Sequence, residues 1–215
     1  MKKLVLASAL MMAFGMNAYA SDSVDLKVTG TLSMTSCTPA FGNGGVIDLG
    51  HIPIKNMKLT SNGLAYEDSA DEHTKIDLTI TCPTAMIVGF TMTDNKEGTV
   101  PESMNSYQGA YGFGTTSDGK KIGLYQLYKN AVTLDGADAS LLYSLNNGQS
   151  WNGAYALNHK DILFAFSKKD ETTPASGKSF DLKIDVTHYF EKSVVESVTD
   201  QLDFQGSTTF SLFYM

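Results

Sequence analysis

The chain has 215 residues, 42% of them hydrophobic, and every one of its sixteen basic residues is a lysine. A formal net charge of −7 without any arginine argues against nucleic-acid and anionic-lipid binding, and against sites built on a bidentate guanidinium fork. A chain of this length buries one sizeable core, so a single domain is expected.

Lys2 and Lys3 precede an apolar run from Leu4 to Gly15, which ends near Ala18-Tyr19-Ala20. A basic start, a short apolar stretch and a small-x-small site predict a signal peptide over residues 1–20. Cleavage after Ala20 leaves residues 21–215 as one exported domain and removes two lysines, so the net charge moves from −7 to −9. The apolar run is short for a bilayer span, and nothing later is long enough, so no membrane span is expected in the mature chain.

Leu26, Val28, Gly30, Leu32 and Met34 alternate with polar residues, the period of a half-buried strand. A Gly-Asn-Gly-Gly turn at 42–45 leads into Val46–Leu49 and on to Ile52 and Ile54. From His73 to Cys82 the alternation returns, with Ile76, Leu78, Ile80 and Cys82 on one face. After a break at Pro83, residues 85–92 read as another strand. The stretch 94–120 is rich in Gly, Ser, Thr, Asn and Tyr and reads as a long irregular excursion. Further strands are predicted at 121–128, 139–145, 155–167, 178–190 and 208–214, with a short helix or loop at 193–201. Many short strands between turn signals, with no long helical periodicity and no internal repeat, predict an all-β sandwich or barrel.

Cys37 and Cys82 are the two cysteines. In an oxidising compartment the simplest reading is one disulfide, stabilising by roughly 4 kcal/mol through the loop it closes. The single tryptophan, Trp151, lies outside the interval between them. That differs from a true immunoglobulin domain and favours a sandwich of another topology.

Little in the sequence suggests catalysis. Ser144 to Trp151 resembles an Asp-box hairpin, which is a structural turn, and it occurs once. His51, His73, His159 and His188 show no metal-ligand spacing, and the acidic run Glu67, Asp68, Asp71 and Glu72 lacks the glycine turn of a calcium loop. Neither a Gly-x-Ser-x-Gly elbow nor a phosphate loop is present. No enzyme activity, cofactor or metal is therefore expected. A glycan contact is conceivable at Tyr111 and Trp151, since Tyr107, Tyr111 and Phe113 sit in a Gly/Ser/Asn-rich loop and Trp151 stands beside Asn152. The alternative is that these aromatics cover the core beneath that loop.

The residues Leu26-Lys27-Val28-Thr29-Gly30-Thr31-Leu32 followed by Cys37 resemble the opening strand of chaperone–usher pilins. Ile47 to Ile52, Ile76 to Cys82, and the terminal run Gly206 to Met215 with its penultimate tyrosine are similar to later pilin strands. Lys121 to Tyr125, Tyr143-Ser144 and Trp151 resemble a branch described as beta-fimbrial subunits of unknown function. The resemblance implies an immunoglobulin-like pilin sandwich lacking its last strand. Its groove would be filled by a periplasmic chaperone and then by another fimbrial subunit, through an outer-membrane usher, at the periplasm and cell surface of a Gram-negative bacterium. It assigns Phe210, Leu212 and Tyr214 to strand pairing with chaperone or subunit, and Val24, Leu26 and Val28 to an N-terminal donor segment. The expected function is thus a structural subunit of an adhesive fimbria; the alternative is a monomeric or tip-located adhesin binding a host glycan on a complete sandwich.

Overall fold

The computed structural model describes residues 26–30, 36–68 and 74–215. Residues 35–215 form one compact unit, and residues 1–34 belong to a separate one. Twelve strands follow in chain order: β1 (Thr38–Phe41), β2 (Met57–Leu59), β3 (Ala65–Asp68), β4 (Thr74–Met86), β5 (Val88–Asp94), β6 (Tyr111–Gly112), β7 (Gly123–Leu134), β8 (Ala137–Ser144), β9 (Asn152–Gly153), β10 (Leu163–Lys168), β11 (Gly177–Glu191) and β12 (Thr208–Tyr214). One short helix, α1 (Lys192–Val195), and three single turns of 3-10 helix complete the regular structure among the described residues.

The strands form two layers. β1, β4, β11 and β7 lie side by side in that order, and β8, β10, β5 and β12 make the second run. The layers join on one side at the β7–β8 hairpin, where Thr133 faces Asp138 and Leu134 faces Ala137. Asp135 and Gly136 turn this corner with φ of 51° and 80°, the left-handed backbone that an Asp-Gly hairpin supplies. A second crossing is the passage from β4 to β5 at Ile87.

Alternation along the strands builds the core between the layers. Ile76, Leu78, Ile80 and Cys82 of β4 and Phe180, Leu182, Ile184 and Val186 of β11 are buried, while Lys75, Asp77, Thr81 and Lys183 point outward and stay exposed. Phe166 of β10 meets Phe180 of β11 with ring centroids 5.0 Å apart, locking one layer to the other. Cys37 and Cys82 form the disulfide. The protein is therefore an all-β sandwich with one disulfide.

Several expectations shift. Residues 26–30 form no strand, with Leu26 89% and Val28 87% exposed; the remainder of that predicted strand, 31–35, lies outside the described residues. Val46–Ile54 also makes no ladder, although Ile47 and Ile52 pack on the core. Alternation there reports one apolar face, not a paired backbone. β4 runs through Pro83 instead of breaking. Its pairing with β1 ends at Thr81, and its register with β11 shifts between Gly177 and Ser179, so no ladder bond is required of the proline nitrogen. Of the predicted strand at 155–167, only Leu163–Lys168 forms.

The long excursion after Asp94 is held down from below. Asp94 is buried, its Oδ1 accepting from the Lys96 amide at 2.8 Å and its Oδ2 from the Gly112 amide at 3.0 Å. Met104 and Ala110 of the loop join Ala65 and Leu124 in a second small core on the outside of β7.

Candidate functional site

Among the described residues, no strand closes the side of the sandwich opposite the β7–β8 corner. Among those residues, β1 pairs only with β4 and β12 only with β5, so each of these edges uses one of its two hydrogen-bonding sides there. Directly paired residues share a face of the sheet. Pro39 and Phe41 lie opposite Ile80 and Leu78, while Phe210, Leu212 and Tyr214 lie opposite Met92, Phe90 and Val88. All of those partners are buried core residues, so the five edge side chains are turned toward the interior. Yet Phe41, Phe210 and Leu212 are only half-buried, Pro39 is exposed, and Tyr214 is 45% exposed. Inward-facing residues stay uncovered because, among the described residues, no strand lies between the two edges.

Two contacts span this gap. Phe41 and Phe210 meet edge-on with ring centroids 5.8 Å apart, and the Cys37 amide donates to the Tyr214 hydroxyl at 2.9 Å. Neither is a backbone ladder. Phe210 also tilts against Phe90 at 4.6 Å, which connects the groove floor to the stacked Phe90–Phe164 pair of the core.

Both rims are anchored. The disulfide joins the residue just before β1 to β4, and so fixes a four-residue edge strand that has little pairing of its own. At the start of β12, the Tyr125 hydroxyl and Thr208 Oγ1 share a 2.5 Å hydrogen bond. Burial pushes the Tyr125 hydroxyl up to about 12. Toward the other end, the Phe213 ring lies over Gly89 on the outer face, where any side chain at 89 would collide with it. β12 is thereby held against β5, with its far side unpaired among the described residues.

Phe210, Leu212 and Tyr214 thus line the groove together. Cys37 and Cys82 meet at its rim. Val24 lies outside the described residues, whereas Leu26 and Val28 stand exposed on a segment without strand structure. Tyr111 is a correction. It is fully buried, stacked on Tyr125 and donating its hydroxyl to the Leu157 carbonyl at 2.5 Å, so it offers no surface to a glycan. The loop covers a core here, and the ring belongs to that core. Trp151 is half-exposed and packs beside Gly148, inside a turn closed by Ser144, Asn146 and Ser150. Sequence reasoning missed Pro39 and Phe41, because four residues between a cysteine and a glycine turn carry too short an alternation to register.

His159 is buried with Nε2 at 2.8 Å from the Ala110 carbonyl, and His51 is exposed. Among the described residues, no three His, Cys, Asp or Glu side chains converge as metal ligands. No helix among them is long and apolar enough to cross a membrane.

Fold and groove define a class: a disulfide-linked all-β sandwich whose two edge strands flank an uncovered strip of core. A family model described as "Protein of unknown function (DUF1120)" matches residues 26–110, which include β1, β4 and both cysteines. The chain is 26% identical to the "Uncharacterized protein YhcF" of Escherichia coli (strain K12), over 100% of this chain and 98% of that protein. It is 25% identical to "Protein GltF" of the same organism over 50% of this chain and 48% of that protein.

Proposed function

We propose that this protein is a pilin-like structural subunit that works by accepting a strand, not by catalysis or through a cofactor. The supporting observation is the groove itself. Phe41, Phe210 and Leu212 face the interior yet stay half-covered between two edge strands that do not pair with each other. An incoming extended segment would hydrogen-bond to β12 and β1 through main-chain groups, and its alternate side chains would fill the strip above those rings.

The chain carries a fitting donor sequence. Val24, Leu26 and Val28 alternate with Asp25 and Lys27, and the pattern continues in sequence through Gly30, Leu32 and Met34. Leu26 and Val28 are exposed on a segment without strand structure, the condition expected of a strand awaiting an acceptor. In this reading a periplasmic chaperone first lends a strand, an outer-membrane usher exchanges it, and the N-terminal segment of another subunit replaces it. The protein then resides in a surface fimbria of a Gram-negative bacterium and contributes to adhesion. The predicted signal peptide and the disulfide accord with such a route.

Expression of the mature chain with and without a periplasmic pilus chaperone tests the proposal. The expected result is a stable one-to-one complex with the chaperone, with a higher unfolding midpoint than the chain alone. A cooperatively folded monomer, indifferent to the chaperone, would refute the proposal.

A further inference from the structure

The outer face of β7 and β11, away from the groove, carries four tyrosines. Tyr128 of β7 points outward, because its neighbour Leu127 belongs to the main core, and Tyr189 of β11 does so beside buried Phe190. Each is met by a ring from outside its own strand. Tyr107, from the loop after Asp94, lies against Tyr189 with centroids 4.8 Å apart, and Tyr155 lies against Tyr128 at 5.2 Å. Tyr155 is held to β7 through its backbone. The Lys129 amide donates to its carbonyl at 2.7 Å, the Leu157 amide donates to the Leu127 carbonyl at 2.8 Å, and Ala156 bridges to Tyr128. Burial raises the Tyr128 pKa, and Tyr155 and Tyr107 add to the rise, so this phenol stays protonated at neutral pH.

Among the described residues three pairs of tyrosine rings touch, and exposure separates them. Tyr111 and Tyr125 stack at 5.2 Å, but both are buried. Tyr107 and Tyr189 are both half-buried. Only the third pair sets a half-buried ring, Tyr128, against an open one, with Tyr155 68% exposed. That arrangement meets both needs of oxidative phenol coupling. An oxidant has to reach one ring, and a second phenol has to be held beside it before the radical is quenched.

We propose that Tyr128 and Tyr155 are a modification site, joined as a dityrosine by a peroxide-driven haem oxidant. Each phenol gives one electron to the oxidant and its hydroxyl proton to water. The two phenoxyl radicals pair their electrons in a carbon–carbon bond between positions ortho to the oxygens. Each of those carbons then loses its hydrogen as a proton while the oxygen beside it gains one, which restores both phenols. One peroxide takes up the two electrons and two protons and leaves as two waters. The bond closes the segment 128–155, which holds the end of β7 and all of β8 and β9, and so fastens the hairpin that joins the two layers. Neither ring lines the groove, so the site is independent of strand exchange.

Oxidation of the dilute, folded mature protein with a haem peroxidase and limiting hydrogen peroxide tests it, with the monomer isolated and digested by trypsin. The product should fluoresce as dityrosine and be lighter by about 2 Da. Fragmentation should show peptides 122–129 and 130–160 joined through Tyr128 and Tyr155. Tyr155→Phe, which keeps the ring and removes the phenol, should lose that joined pair. Unfolding in urea before oxidation should lower its yield by about tenfold, because the two rings are no longer held together. The buried Tyr111–Tyr125 pair should stay unlinked in the folded protein, although its rings are as close. A folded monomer oxidised without the 128–155 bond, an undiminished yield in urea, or a Tyr111–Tyr125 link formed as readily would each overturn the proposal.

Discussion

Phe41 of β1 and Phe210 of β12 touch edge-on across 5.8 Å, the one ring contact between two strands that share no backbone hydrogen bonds. A contact of this kind holds the rims of the groove at a separation without filling the space between them. Phe210→Ala should therefore cost about 2 kcal/mol, less than the roughly 3–5 kcal/mol of a fully buried phenylalanine. It should also reduce capture of a donor peptide. Urea unfolding and peptide binding on the same variant check the two effects.

The disulfide bears mostly on the same rim. Cys37→Ala with Cys82→Ala should cost about 4 kcal/mol by freeing the closed loop in the unfolded chain. Because Cys37 leads into β1, amide exchange should rise first in Thr38–Phe41 and later in β11. Exchange accelerated equally in all strands would show that the bond acts on the whole sandwich alike.

Tyr125 ties Thr208 to the floor of the sandwich, and its hydroxyl is raised by burial to about 12. The unfolded chain ionises this phenol near pH 10, whereas the folded chain keeps it protonated. Its contribution to stability should be constant below about pH 10 and fall as pH rises toward about 12. Tyr125→Phe should flatten that part of the stability profile measured by urea unfolding.

His188 is inward-facing on β11, 5.6 Å from the Phe190 ring, and neither of its ring nitrogens has a hydrogen-bond partner. Burial lowers its pKa, with the Asp68 carboxylate opposing that shift. The folded state therefore refuses a proton that the unfolded chain accepts below about pH 6.5, so stability should drop as pH falls through that value. His188→Leu should abolish this acid-side loss with little cost near neutrality, because it leaves no polar group orphaned. Unfolding midpoints at about pH 7 and about pH 5 for both proteins decide the matter.

Strands with a long ladder to a neighbour were readable from sequence. β11 and β12 fall almost where alternation puts them, since a half-buried ladder leaves a period of two in its residues. Residues 26–30 and 46–54 show the same period without a ladder. Alternation records that one face seeks burial, and it does not record which strand supplies the backbone partner. The groove was legible on its β12 side, through Phe210, Leu212 and Tyr214, and hidden on its β1 side. At Tyr111 the reading that holds is the alternative, a ring that covers the core beneath the loop. A polar, glycine-rich loop looks solvent-facing, but buried Asp94 and Met104 pin it over a second core. The tyrosine face arises from β7, β11 and two loops, and only the folded register brings those four rings together.

The most direct test of the central claim is hydrogen exchange at β12, with and without a synthetic peptide carrying residues 22–34. The strand-accepting groove predicts that alternate β12 amides, those turned away from β5, exchange quickly in the isolated chain. The peptide should slow them, along with amides of β1, and raise the unfolding midpoint. Slow exchange at every β12 amide before peptide is added, with no change after, would contradict it.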